Sequence, residues 1–152
     1  VSALRADRKM AALAAKTNCK VIIMYSKDKQ TATIAPKQYK NITQTITIFF
    51  QKRLAYAKTQ GIKPQNIILD PGLGHFISAD PKYSYEIIAR LPELKAKFPK
   101  HKFLLGISRK SFLGGPLSER DNRGLPLQIL AAHLGADYLR THEVKELKKQ
   151  LP

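Results

Sequence analysis

The chain has 152 residues, 43% hydrophobic and 25% charged, the proportions of one globular domain with material for a core and not of a disordered chain. Its 27 basic against 11 acidic residues give a formal net charge of +16; that invites a polyanion, but the lysines are dispersed and not interleaved with aromatic side chains, which argues against nucleic acid as the partner. No apolar run approaches a membrane span, and the single Cys19 leaves no intrachain disulfide, which fits a reducing, cytoplasmic setting.

Residues 1–4 read as the tail of a strand. Asp7 is placed to cap a helix over 8–16, with Met10, Leu13 and Ala14 on one face. Cys19, just before the next strand, reads as a half-buried thiol. Residues 20–25, Lys-Val-Ile-Ile-Met-Tyr, form a continuous apolar run, the kind buried on both sides in parallel sheets. Residues 26–40 are polar, contain Pro36 and read as a long loop, a candidate lid. A helix is predicted over 41–59 from the spacing of Ile42, Ile46, Phe49, Phe50 and Leu54, with Gly61 stopping it. Ile67-Ile68-Leu69 is a strand that runs into Asp70-Pro71-Gly72-Leu73-Gly74. Pro81 opens a helix over 82–97, with Pro92 as a candidate interruption. Phe103-Leu104-Leu105 is a short buried strand, followed by the loop from Gly106 to Gly114. Residues 115–123 are charged and irregular. A helix over 125–134 ends at Gly135, a last short strand covers 136–140, and an amphipathic helix covers 143–151.

Repeated βα units of this length imply a parallel sheet. Two architectures follow: an open doubly wound sheet, or part of a (β/α)₈ barrel, whose full form takes about 250 residues. No Gly-x-Gly-x-x-Gly follows a first strand and no Walker lysine is present, which weakens a nucleotide-binding reading. The polar groups sit at strand ends, where α/β folds place their sites. Asp70 is an acceptor for a ring N–H or amino group, and Gly72 and Gly74 permit close backbone approach. Lys110 and Ser111 stand after the next strand. Arg140 and His142, two apart at the last one, project together and make an anion clamp. Each has a plainer role available. Asp70 suits any Pro-Gly turn, Lys110 a basic surface turn, Arg140 an ion pair with Asp137, and His142 the cap of the last helix. His75, His101 and His133 show no zinc spacing and read as structural, although His75 beside the glycines can line a pocket.

Taken together, Leu69-Asp70-Pro71-Gly72-Leu73-Gly74, Ser108-Arg109-Lys110-Ser111-Phe112-Leu113-Gly114 and Arg140-Thr141-His142 resemble three signatures of the dihydropteroate synthases, in that family's order. The resemblance covers essentially the whole chain. It implies an α/β fold, the C-terminal half (strands five to eight with their helices) of a (β/α)₈ TIM barrel, so that residues 1–152 form a partial pterin-binding domain without its N-terminal half. The activity implied is a transferase reaction of folate biosynthesis: condensation of p-aminobenzoate with 6-hydroxymethyl-7,8-dihydropterin pyrophosphate, releasing pyrophosphate. Carried onto this sequence, Asp70 would hold the pterin N–H groups and Lys110 would donate to the ring's acceptors. Met24 would pack beside the pterin, in a pocket that Gly74 and Phe76 help to line. Arg140 would stack on the ring and bind the pyrophosphate with His142. Ser111 would lie near the p-aminobenzoate carboxylate.

The sequence departs from the pattern at Tyr25, where many members have His, and in the loop His75-Phe76-Ile77-Ser78-Ala79-Asp80-Pro81, which is closer to a variant group. The family's magnesium is implied as cofactor, with its main ligand, an Asn, on strands that the sequence does not include. This chain alone is therefore expected to be inactive, with exposed sheet edges. A homodimer through the last helices, using Leu130, Leu134 and Leu147, is a further expectation. Two other readings stand beside this one. A different pterin-binding barrel, such as a corrinoid-linked methyltransferase domain, would share Asp70 and the glycine turn but not Ser-Arg-Lys-Ser-Phe. A non-enzymatic basic binding module would account for the charge.

Overall fold

A computed structural model describes residues 2–28 and 32–151. Asp7 caps α1 (Arg8–Thr17) by accepting from the Lys9 N–H at 2.8 Å, and Asn18, in a left-handed conformation, ends it. β1 (Val21–Met24) leads through residues 25–41 to α2 (Ile42–Thr59), whose cap Asn41 accepts from the Gln44 N–H at 2.8 Å. β2 (Ile67–Asp70) is followed by α3 (Lys82–Ala89) and α4 (Leu91–Lys97). The break between them falls at Arg90, with Pro92 in the first turn of α4, where its missing N–H has no intrahelical partner to lose. β3 (Lys102–Leu105), α5 (Arg120–His133), β4 (Tyr138–Leu139) and α6 (Val144–Gln150) complete the order.

The four strands form one parallel sheet in the order β1-β2-β3-β4. Alternation along parallel strands sorts their side chains onto two faces. Ile23, Leu69, Phe103 and Leu105 are fully buried in the core with the helices, where Phe50 of α2 meets Phe98 and Phe103 edge-on with centroids 5.6 and 6.2 Å apart. Ile22, Met24, Ile68, Asp70 and Leu104 lie on the other face, outside that core, and Ile22 is 44% exposed. β1 and β4 are the sheet edges, each with one strand partner among the described residues.

Several expectations change. Ala3 and Leu4 lie in a turn with positive φ and not in a strand, and Val1 is outside the described residues. α1 buries Ala11 and Ala14, while Met10 and Leu13 are exposed: two small side chains at helical spacing carry the packing, and the bulkier pair faces away. Cys19 is exposed. α5 begins at Arg120, within the stretch read as irregular, with Asp121 in its first turn, where a carboxylate suits the helix dipole. Pro126 sits inside α5 without ending it. The candidate lid is fastened over residues 32–40: the Tyr39 hydroxyl donates to the Ile77 carbonyl at 2.7 Å, Lys37 N–H to Ser78 Oγ at 2.8 Å, and Ala79 N–H to the Ala35 carbonyl at 3.0 Å. Residues 29–31 of that loop are outside the described set.

The turn after β2 is the tightest point in the sheet. Gly72 has φ of +70°, and a Cβ there would lie 2.3 Å from the Tyr25 carbonyl oxygen. Gly61 has φ of +80° but would meet only the Ala15 methyl, at 3.8 Å. Gly61→Ala is thus expected to cost about 1 kcal/mol, the left-handed penalty alone. Gly72→Ala forces backbone apart as well and is expected to cost upwards of about 3 kcal/mol. Urea unfolding midpoints of the two variants measure the difference.

Candidate functional site

Four strand ends supply the site. Met24 and Asp70 are register partners on the helix-free face, at the ends of β1 and β2. Asp70 is 2% exposed. Its Oδ1 accepts from the Gly72 N–H at 2.8 Å, while Oδ2 is buried without a hydrogen-bond partner, and its nearest cation is Arg140 Nη2 at 3.9 Å. A buried carboxylate oxygen with an unused acceptor site is costly to the fold and suits a ligand N–H. Burial raises the Asp70 carboxyl above its ordinary range, against the Gly72 N–H and the charges of Arg140 and Lys110.

Lys110 follows β3 after a left-handed Arg109 (φ 59°). That conformation, disfavoured by about 1 kcal/mol or more outside glycine, is secured by ion pairs from Arg109 to Asp121 at 2.6 Å and Glu143 at 3.6 Å. The Lys110 ammonium stands 4.5 Å from the centre of the Phe76 ring. Burial, and then the neighbouring Arg140, lower its pKa, against the pull of Asp70. The short 3₁₀ turns at Gly74–Phe76 and Ser111–Leu113 touch: a Cβ on Gly74 would lie 3.4 Å from Ser111 Oγ and 3.7 Å from Lys110 Cδ.

Arg140 lies across Gly106, at the end of β3. A Cβ there would sit 2.6 Å from Nη2, so the glycine leaves room for the guanidinium. Asp137 is taken by Lys95 at 2.6 Å, so Arg140 turns to Asp70. His142 does not cap α6; its Nδ1 lies 2.7 Å from Ser108 Oγ. Gly106, Ser108, Lys110, Arg140, Thr141 and His142 line a cavity of about 170 Å³. A second, of about 280 Å³, is lined by His75, Phe76, Lys110 and Ser111 with Ala32, Arg109 and Arg120. Lys110 is on the wall of both. Larger clefts, of about 590 and 610 Å³, border α5 and α6, away from Asp70; the smaller pair has the convergent charge.

The structure therefore brings together Met24, Asp70, Gly74, Phe76, Lys110, Ser111, Arg140 and His142 along the C-terminal edge of the sheet. Gly106 and Ser108 lie in the loop singled out from the sequence but carry no role there, and neither does Asp121. Ser108 was visible inside the Ser-Arg-Lys-Ser motif; Asp121 had no signal beyond its place in a charged stretch. His101 and His133 are remote: His133 Nδ1 bonds the Ile129 carbonyl at 2.9 Å within α5, and burial lowers the pKa of His101. Among the described residues no group of three or more His, Cys, Asp or Glu is placed to hold a metal ion.

A family model described as pterin binding enzyme matches residues 1–142. The chain belongs to the pterin-binding enzyme family. It is 36% identical over 143 residues to the dihydropteroate synthase type-3 of Escherichia coli, with 90% of this chain and 54% of that protein covered. The dihydropteroate synthase of Anaplasma phagocytophilum, solved with bound 6-hydroxymethylpterin-monophosphate, superposes with a TM-score of 0.86 at 30% identity, over 98% of this chain and 59% of that one. The Xanthomonas albilineans dihydropteroate synthase with 4-aminobenzoic acid gives a TM-score of 0.86 at 25% identity, over 98% and 52%. The resemblance to dihydropteroate synthases thus holds along the whole chain, and the fold is a partial (β/α)₈ barrel. The chain spans about half the length of the curated relatives it matches.

The raised Asp70 carboxyl has a consequence for stability. In the unfolded chain the group ionises near 3.8. In the folded chain it keeps its proton to higher pH. Stability is therefore unaffected by Asp70 below 3.8 and is lost as pH rises from there through the folded value. Asp70→Asn keeps the acceptor for Gly72 and has no such loss. Urea unfolding at a series of pH values is expected to show Asp70→Asn becoming the more stable form as pH rises, the gap then levelling.

Proposed function

We propose that this chain supplies the pterin- and anion-binding half of a dihydropteroate synthase, which joins p-aminobenzoate to 6-hydroxymethyl-7,8-dihydropterin pyrophosphate in folate biosynthesis. The observation that carries the reading is the free, buried Oδ2 of Asp70 with Lys110 and Arg140 beside it. A pterin edge has N–H groups for the carboxylate and ring acceptors for the ammonium, and Met24 gives it an apolar neighbour. Arg140 and His142 share the smaller cavity and suit the pyrophosphate. Lys110, Phe76 and Ser111 share the second, which suits the arylamine carboxylate.

The reaction is displacement at the exocyclic methylene carbon of the pterin. The carbon–oxygen bond to pyrophosphate breaks, the arylamine nitrogen bonds to carbon and loses a proton, and pyrophosphate leaves with the bonding electrons. The residues contribute position and charge: Asp70 and Lys110 orient the ring, and Arg140 meets the charge growing on the leaving group. The arylamine is nucleophilic without a strong base. The described residues have no acidic cluster that fits magnesium, so no residue of this chain is assigned to it, and no step runs through it.

The reading includes a cytoplasmic enzyme, supported by the exposed, unpaired Cys19; no helix among the described residues is long and apolar enough to cross a membrane. It also includes pairing of two copies through α5 and α6. Leu130, 45% exposed, is available for that contact, whereas Leu147 is 5% exposed and packs within the chain.

Turnover of the two substrates by the protein that carries this chain tests the proposal. Dihydropteroate formation is expected, with Lys110→Ala lowering kcat/KM by about 100-fold or more and leaving the unfolding midpoint near that of the parent. A protein that neither binds the pterin pyrophosphate by calorimetry nor turns it over overturns it.

A further inference from the structure

Two strand ends and the start of a helix are tied by one line of hydrogen bonds that the binding roles above do not use. Arg109 Nε donates to Asp121 Oδ2 at 2.6 Å. Ser108 Oγ lies 2.7 Å from Asp121 Oδ1, 2.7 Å from His142 Nδ1 and 3.3 Å from the His142 backbone N–H. Ser108 is buried at the end of β3, Asp121 opens α5, and His142 follows β4.

The protons along this line can be counted. Burial pushes the Asp121 carboxyl up, but the Ser108 and Arg109 hydrogen bonds and the Arg109 charge hold it below its ordinary range. It is a carboxylate that accepts only. The single hydroxyl proton of Ser108 must then point to Asp121, because two acceptors cannot face each other at 2.7 Å. With its proton committed, Ser108 Oγ is an acceptor toward His142, and Nδ1 must be the donor. The ring proton of neutral His142 is thereby placed on Nδ1. Nε2 has no hydrogen-bond partner among the described residues, and His142 lines the cavity it shares with Arg140 and Lys110. When the ring gains a second proton, Nε2 gains it, and the cation then has a donor for each side: Nδ1–H to Ser108, Nε2–H to an anion.

We infer that Asp121 and Ser108 are positioning residues that fix His142 in the Nδ1–H tautomer and reserve Nε2 for the pyrophosphate group. The assignment of the anion rests on the dihydropteroate synthase reading; the relay itself rests only on the geometry. Asp121 and Ser108 touch neither substrate. They act through the imidazole, as partners behind a functional histidine commonly do.

An isosteric change reverses the relay. In D121N, Arg109 Nε still needs an acceptor, so the amide oxygen takes the Oδ2 place and the amide NH₂ faces Ser108. The hydroxyl then accepts from the amide and turns its proton to Nδ1, and the neutral ring moves to the Nε2–H tautomer. The cation loses its acceptor at Nδ1.

The experiment records imidazole ¹⁵N shifts of His142 in its neutral form, in the protein and in D121N, and measures inorganic pyrophosphate binding by calorimetry for both. The expected result is Nδ1–H in the protein and Nε2–H in D121N, and pyrophosphate binding that, by calorimetry in buffers of different ionisation heat at that same pH, takes up one proton more in the protein than in D121N, whose neutral ring already carries a donor at Nε2. An Nε2–H tautomer in the unsubstituted protein overturns the relay without any variant. A tautomer unchanged by D121N, or equal proton uptake on pyrophosphate binding in both, overturns it as well. If the tautomers behave as expected but the unsubstituted protein does not bind pyrophosphate, the relay stands and the synthase reading fails.

Discussion

Parallel register is the constraint on which the rest depends. Pairing Met24 with Asp70 across β1 and β2 puts both on the same face of the sheet, and the core side chains Ile23 and Leu69 on the other. A slip of one residue would exchange the faces, bury Asp70 under the helices and expose Leu69. The register also sets the level of the strand ends, so that the loops after β2, β3 and β4 open at one rim. The close approach of Gly72 to the Tyr25 carbonyl and the hydrogen bond from Tyr25 N–H to the Asp70 carbonyl at 2.8 Å pin that level.

The rim concentrates conflict that a fold selected only for stability would not contain. Asp70 is buried with an unused oxygen, Lys110 is half-buried near a second cation, and Arg109 adopts a left-handed backbone. Each is unfavourable alone, and each is eased by contacts with the others or with Asp121. Such stored mismatch is what a charged, hydrogen-bonding ligand relieves.

The charge excess has a structural counterpart. Among the described residues every acidic side chain other than Asp7, which caps α1, has a basic partner in an ion pair. Most of these pairs are at the surface and are each worth little to stability. Basic residues still outnumber acidic ones by sixteen, a formal charge that favours anions in general and gives no specificity.

The sequence alone determined the order of strands and helices, because apolar runs and capping residues act locally: Asp7, Asn41, Gly61 and Pro81 mark the element ends where the structure has them, within a residue or two. It also determined which polar groups share one rim, since Asp70, Lys110, Arg140 and His142 end or follow parallel strands whose C-terminal ends lie at one side of the sheet. Tertiary structure decided what local pattern leaves open. The face of α1 that is buried depends on what lies opposite it, and Ala11 and Ala14 prevail over Met10 and Leu13. The start of α5 at Arg120 depends on Ser108 and Arg109 meeting Asp121 from another strand end. The tautomer of His142 depends on a hydroxyl 34 residues away in the chain. Helix faces and proton positions are set by partners distant in sequence, and no local pattern contains them.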